Sequence, residues 1–133
     1  MHKKTPPSID AWLQEAKEHK DAPKIGMYLT HNGVVRQSAR AMAREGDSSA
    51  PPVRGMIFSY DRNRLSRVVD EARRMDGIHY VRVWLNEGCL DVGDSIMFVL
   101  VGGDIRPRVV DALDWLVTRN KGECVQETEL YDA

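Results

Sequence analysis

Apolar positions fall along this chain in two rhythms. Three stretches place them at helical spacing: Ile9, Trp12, Leu13 and Ala16 after Ser8; Leu65, Val68, Val69 and Ala72 within Arg62–Met75; and Val109, Ala112, Leu113, Leu116 and Val117 after Pro107. Four others are runs rich in β-branched and aromatic residues and read as strands: Ile25–Thr30 continuing into His31–Arg36, Val53–Tyr60, Tyr80–Leu85 and Ser95–Val101. Asn32-Gly33 marks a turn or bulge inside the first of these.

The punctuation between these stretches suits them. Ser8 can cap the first helix, which should stop before Pro23. Asn86–Asp94 carries the Gly, Asn and Asp of a turn between two strands. Gly102-Gly103 reads as a tight strand-to-helix turn, with Asp104 as a cap, and Gly122 as a left-handed helix end. The order is helix, strand, loop, strand, helix, strand, strand, helix and a short tail. Without regular βαβ alternation, that order predicts an α+β fold: a mainly antiparallel sheet packed against helices on one side, the first strand central. The reading is one domain over 1–133, with 1–7 a flexible lead-in and 37–52 a mobile loop containing a helical turn at Ser38–Arg44. A loop of that length is either part of a binding site or simply disordered.

Charge removes some function classes. Nineteen Lys and Arg against twenty Asp and Glu leave a formal net charge of −1, so no broad basic field points to nucleic acid or an acidic membrane. The Arg36, Arg40 and Arg44 loop lacks the aromatic interleaving of a nucleic-acid surface. No apolar run approaches the roughly 20 residues that span a bilayer. The two cysteines, Cys89 and Cys124, have neither metal-ligand spacing nor disulfide density, and no signal-peptide-like segment opens the sequence, so a cytoplasmic protein without a bound metal is expected.

Three cations stand where elements end: Arg36 after the first strand, Arg106 at the start of the last helix and Lys121 at its end. A guanidinium beside helix-start amides suits phosphate or carboxylate, because its fork of donors matches either anion. Arg106 has two readings, that anion site or a solvated side chain. Lys121 also has two: an active-site cation, or an end charge worth about 0.3–1 kcal/mol with the helix dipole. His31 lies near the Arg36 loop and either faces a pocket or is solvated; Cys89 and Cys124 read as bystanders.

Gly33-Val34-Val35-Arg36, the strand Met56–Tyr60, Val69-Asp70-Glu71-Ala72, the G-x-L-x-x-G-D turn Gly88–Asp94, then an apolar strand, Arg106 and Lys121 about four turns later form an ordered pattern. Over about Gly26 to Lys121 this pattern resembles the catalytic large subunit of molybdopterin synthase. The resemblance implies an α/β-hammerhead-like fold and sulfur transfer. The sulfur would come from the C-terminal Gly-Gly thiocarboxylate of a small ubiquitin-like partner and go to cyclic pyranopterin monophosphate, a pterin phosphate, giving molybdopterin. It further implies a homodimer, no cofactor, Lys121 as the active-site lysine, and Arg36 and Arg106 as substrate-binding cations.

The chain departs from that family at three places. Ile105 stands where a histidine normally precedes the helix-start arginine, and Leu85-Asn86 replaces a second His-Arg pair. The tail reads Cys124-Val125-Gln126-Glu127-Thr128-Glu129, so the second active-site lysine is missing and acidic residues take its region. Two functions therefore stand side by side: a divergent synthase subunit, or a binding or scaffold protein that kept the fold.

Overall fold

Ser95–Gly103 is apolar on both sides because both sides are covered. In the computed structural model, which describes residues 2–131, this strand (β5) lies in the middle of a three-stranded antiparallel sheet, between β1 (Met27–Val34) and β3 (Ile78–Leu85). Met97, Val99 and Val101 point to one face, where they join Val109, Ala112 and Leu116 of helix α4 (Arg106–Arg119) and Val68, Val69 and Ala72 of helix α3 (Arg62–Arg73). Phe98 and Leu100 point to the other, against Trp12 and Ala16 of helix α1 (Ile9–Lys17) and Tyr28, Tyr80 and Trp84. Helices thus cover both faces of this sheet, not one. The first strand is also an edge, not the centre: its residues alternate between half-buried and exposed over the second half, whereas β5 is buried throughout its last seven. Asn32-Gly33 leads into a bulge, where the β1–β5 register shifts between Gly33 and Val34.

A second antiparallel sheet orders β4, β2 and β6, with β2 (Val53–Tyr60) in the middle. Two of its strands come from segments the hydrophobic pattern read otherwise. Gly88–Asp91, inside the expected turn, is β4 and pairs with Gly55–Phe58. Val125–Tyr131, the expected tail, is β6 and pairs with the whole of β2. Both are polar on their outer side and contribute few apolar residues, so neither carries a strand signal until β2 lies beside it. Val53, Met56, Phe58 and Leu90 turn inward and share one core with the first sheet. The fold is α+β with antiparallel sheets, as expected.

The helix ends differ from expectation in detail. Ser8 Oγ accepts from the Ala11 N–H, and Asp61 accepts from the Asn63 and Arg64 N–H groups, both ordinary caps. The cap position of α4, however, is Ile105; Asp104 instead accepts from the Ile105 N–H and pairs with Arg108 at 2.8 Å. Gly102-Gly103 belongs to β5 and is not the turn. A Cβ on Gly103 would lie 2.7 Å from both Gly77 O and Val109 Cγ2, so the glycine is there to let strand and helix meet. Gly122 is not left-handed; α4 widens into a π turn over Asn120–Cys124 that leads straight into β6.

Candidate functional site: a cationic cavity between the two sheets

Residues 35–37 are clamped from two sides. Val35 N–H donates to Asp94 O at 3.0 Å, Gly93 N–H donates to Val35 O at 2.8 Å, and Val53 N–H donates to Gln37 O at 2.7 Å. The G-x-L-x-x-G-D stretch makes the first side of this clamp and the start of β2 the second. Gly88 and Gly93 take positive φ, Leu90 is fully buried, and Asp94 folds the turn by accepting from the Asp91 N–H at 2.8 Å. Arg36, the next residue after Val35, therefore leaves the strand at a fixed place. Its Nε–H donates to Ser38 O at 3.1 Å, and its two terminal nitrogens make no hydrogen bond or ion pair among the described residues.

Arg36 lines a cavity of about 380 Å³, formed where the end of β1 and the start of β5 face β6. His31, Met56 and Met97 line it, with Arg36 and Lys121. So do Arg40 and Arg44, from a short helix α2 (Arg40–Glu45) in the polar segment after β1, and Glu127 and Glu129 from β6. Among the described residues, none of the four cations has a carboxylate within ion-pair distance. The His31 imidazole is held below its ordinary pKa, first by burial and then by the positive charge of Lys121. A volume of this size suits a small molecule or an extended peptide end, and the unpaired guanidinium groups favour an anion.

Two of the three cations expected to act thus meet here, Arg36 and Lys121, although they come from distant parts of the chain. Arg106 does not line the cavity; it is exposed at the first turn of α4. Arg40 and Arg44 were not expected at the site, whereas Glu127 and Glu129 stand in the tail region where acidic residues replace the family's second lysine. The four-residue spacing of Arg36, Arg40 and Arg44 was the available signal for the arginines, since that spacing puts Arg40 and Arg44 on one side of a helix. Cys89 is exposed and Cys124 buried, and neither lines the cavity. Among the described residues, no cluster of His, Cys, Asp or Glu could hold a metal ion, and no helix is long and apolar enough to cross a membrane.

Solved structures share this fold. The MoaE protein of molybdopterin biosynthesis from Burkholderia ambifaria superposes with a TM-score of 0.70 at 20% identity, over 97% of this chain and 83% of that one. Molybdopterin cofactor biosynthesis protein E from Burkholderia multivorans gives 0.70 at 18%, over 98% and 89%. A chain of the complex of subunits 1 and 2 of the molybdopterin-converting factor from Helicobacter pylori gives 0.66 at 16%, over 92% and 75%. No curated protein matches the sequence. The family model described as MoaE protein matches residues 3–123, nearly the whole chain, and the chain therefore belongs to the MoaE family, the molybdopterin synthase large subunits, and to molybdenum cofactor biosynthesis.

Proposed function

We propose that this chain is the sulfur-transferring subunit of a molybdopterin synthase. The small ubiquitin-like partner inserts its C-terminal thiocarboxylate into the cavity, sulfur passes from the tail's acyl carbon to cyclic pyranopterin monophosphate, and water takes the place of sulfur at that carbon. The observation that carries this reading is the meeting of Arg36 and Lys121 in one cavity of about 380 Å³. Arg36, held through its Nε–H, offers its remaining fork to the phosphate. Lys121 stabilises the negative charge that develops on the acyl oxygen as water adds and the carbon–sulfur bond breaks. The two-subunit complex of the molybdopterin-converting factor from Helicobacter pylori supports a small partner subunit of this kind.

Arg106 acts, in this proposal, on the cavity of a second copy in a homodimer. Its distance from its own cavity and the exposed apolar residues Ile105 and Val110 beside it support a covered α4 start. The second reading, a scaffold without turnover, is favoured by Glu127 and Glu129 on the cavity wall, where the family's second lysine region has become acidic.

One assay separates the two: purified protein, thiocarboxylated small subunit and cyclic pyranopterin monophosphate, with Lys121→Ala as control. Dithiolene formed by the wild type and abolished in the control is the expected result. Absence of product with the small subunit still bound would leave the scaffold. If the dimer assignment holds, mixing Lys121→Ala with Arg106→Ala subunits restores part of the activity that each lacks alone.

A further inference from the structure

We propose that helix α2 is the cationic wall of this cavity, with Arg40 and Arg44 forming a second anion subsite beside Arg36, and that Glu129 is the latch that holds the helix in place. The inference rests on the reading of the cavity as the substrate site and says which residues carry the charge there.

Arg40 and Arg44 are four residues apart on α2, so one helical turn brings both side chains to the same side, and both line the cavity. Both are exposed and, among the described residues, unpaired. A six-residue helix is too short to hold itself, and its position has to come from contacts outside it. One such contact is given by the acidic strand: Glu129 Oε2 accepts from the Arg40 backbone N–H at 3.0 Å, while Oε1 accepts from Tyr131 Oη at 2.9 Å. Ala39, just before the helix, is buried in the core. The acidic residues of β6 thus have a use consistent with an anionic substrate. Glu129 gives up charge-neutral ground on the wall but brings two guanidinium groups to it.

Counting the charged lining residues, Arg36, Arg40, Arg44 and Lys121 oppose Glu127 and Glu129, so positive charge prevails. Without α2 the two signs would cancel. The ligand class that fits is one with two separated anionic groups, such as a phosphate and a carboxylate-like chain end, the first on Arg36 and the second on Arg40 and Arg44.

The test is calorimetric titration with inorganic pyrophosphate, in parallel with the sulfur-transfer assay. Arg40→Gln/Arg44→Gln should weaken pyrophosphate binding about tenfold or more, with unchanged circular dichroism because both side chains are exposed. Glu129→Gln keeps an acceptor for the Arg40 N–H and removes a negative charge, so it should bind as tightly as the wild type or more so. Glu129→Leu removes the acceptor as well and should bind more weakly than Glu129→Gln. Loss of binding in Arg36→Gln with none in the α2 double variant would overturn the assignment of the subsite and leave the cavity reading intact. Equal binding by Glu129→Leu and Glu129→Gln would overturn the latch. Weakened pyrophosphate binding in the α2 variant, in a protein that transfers no sulfur, would uphold the subsite and overturn the proposed reaction instead.

Discussion

The imidazole of His31 and the ammonium of Lys121 line the same cavity, and the lysine's charge adds to burial in keeping the ring neutral. The folded-state pKa of His31 therefore lies below the unfolded value of about 6.5. Above that value both states hold a neutral ring and stability is unaffected; as the pH falls through it, the unfolded chain takes up a proton that the folded one refuses. The group thus costs nothing above about pH 6.5 and destabilises the fold on acidification from there down through the folded pKa. NMR titration should show His31 below the ordinary value and Lys121→Ala should raise it part of the way. A His31 pKa that is equally low in the Lys121→Ala protein and the wild type would mean that burial acts alone.

Asn86 joins three segments. It is 2% exposed, donates to Ser95 O at 2.9 Å, and accepts from the N–H groups of Lys4 at 2.7 Å and Glu87 at 2.8 Å. Lys3 and Lys4 are held further by Asp91, Asp94 and Tyr60. Asn86→Ala leaves half-buried partners unsatisfied and should cost about 1–3 kcal/mol in urea unfolding. A loss confined to a few tenths would show that water replaces the amide.

Gly103 tests packing against ligand binding. Its Cβ would meet Gly77 O and Val109 Cγ2, each at 2.7 Å, so Gly103→Ala should destabilise by about 1–3 kcal/mol as strand and helix are forced apart. Pyrophosphate affinity should not change, because the residue does not line the cavity. Lost affinity at unchanged stability would mean that Gly103 serves anion binding and not the packing of strand on helix.

The two thiols should separate by reactivity. Burial, then the charges of Glu123 and Asp61, push the Cys124 thiol up, and its side chain is 4% exposed, whereas Cys89 is exposed on β4. Ellman's reagent should modify one thiol quickly in the folded protein and the second only on unfolding. Cys89→Ser should abolish the fast phase; a fast phase that survives would place a reactive thiol at Cys124.

What the sequence by itself determined is what local periodicity and order can carry. The long apolar runs announced β2, β3 and β5 and the helical spacings announced α1, α3 and α4, because each buries enough of its own side chains to show a rhythm. The ordered G-x-V-R, G-x-L-x-x-G-D and Arg–Lys pattern identified the family. Tertiary structure alone decided which strands are central, since burial on both faces belongs to β5 and depends on helices far away in the chain. It also decided that Gly88–Asp91 and Val125–Tyr131 are strands, because their partner is β2 and pairing supplies what their own side chains do not. The site follows the same division. Arg36 and Lys121 could be named from their positions, but their meeting, the exclusion of Arg106 and the arrival of Arg40 and Arg44 depend on backbone hydrogen bonds between segments distant in sequence. Local pattern reports what a segment can bury; only the packed chain reports what it meets.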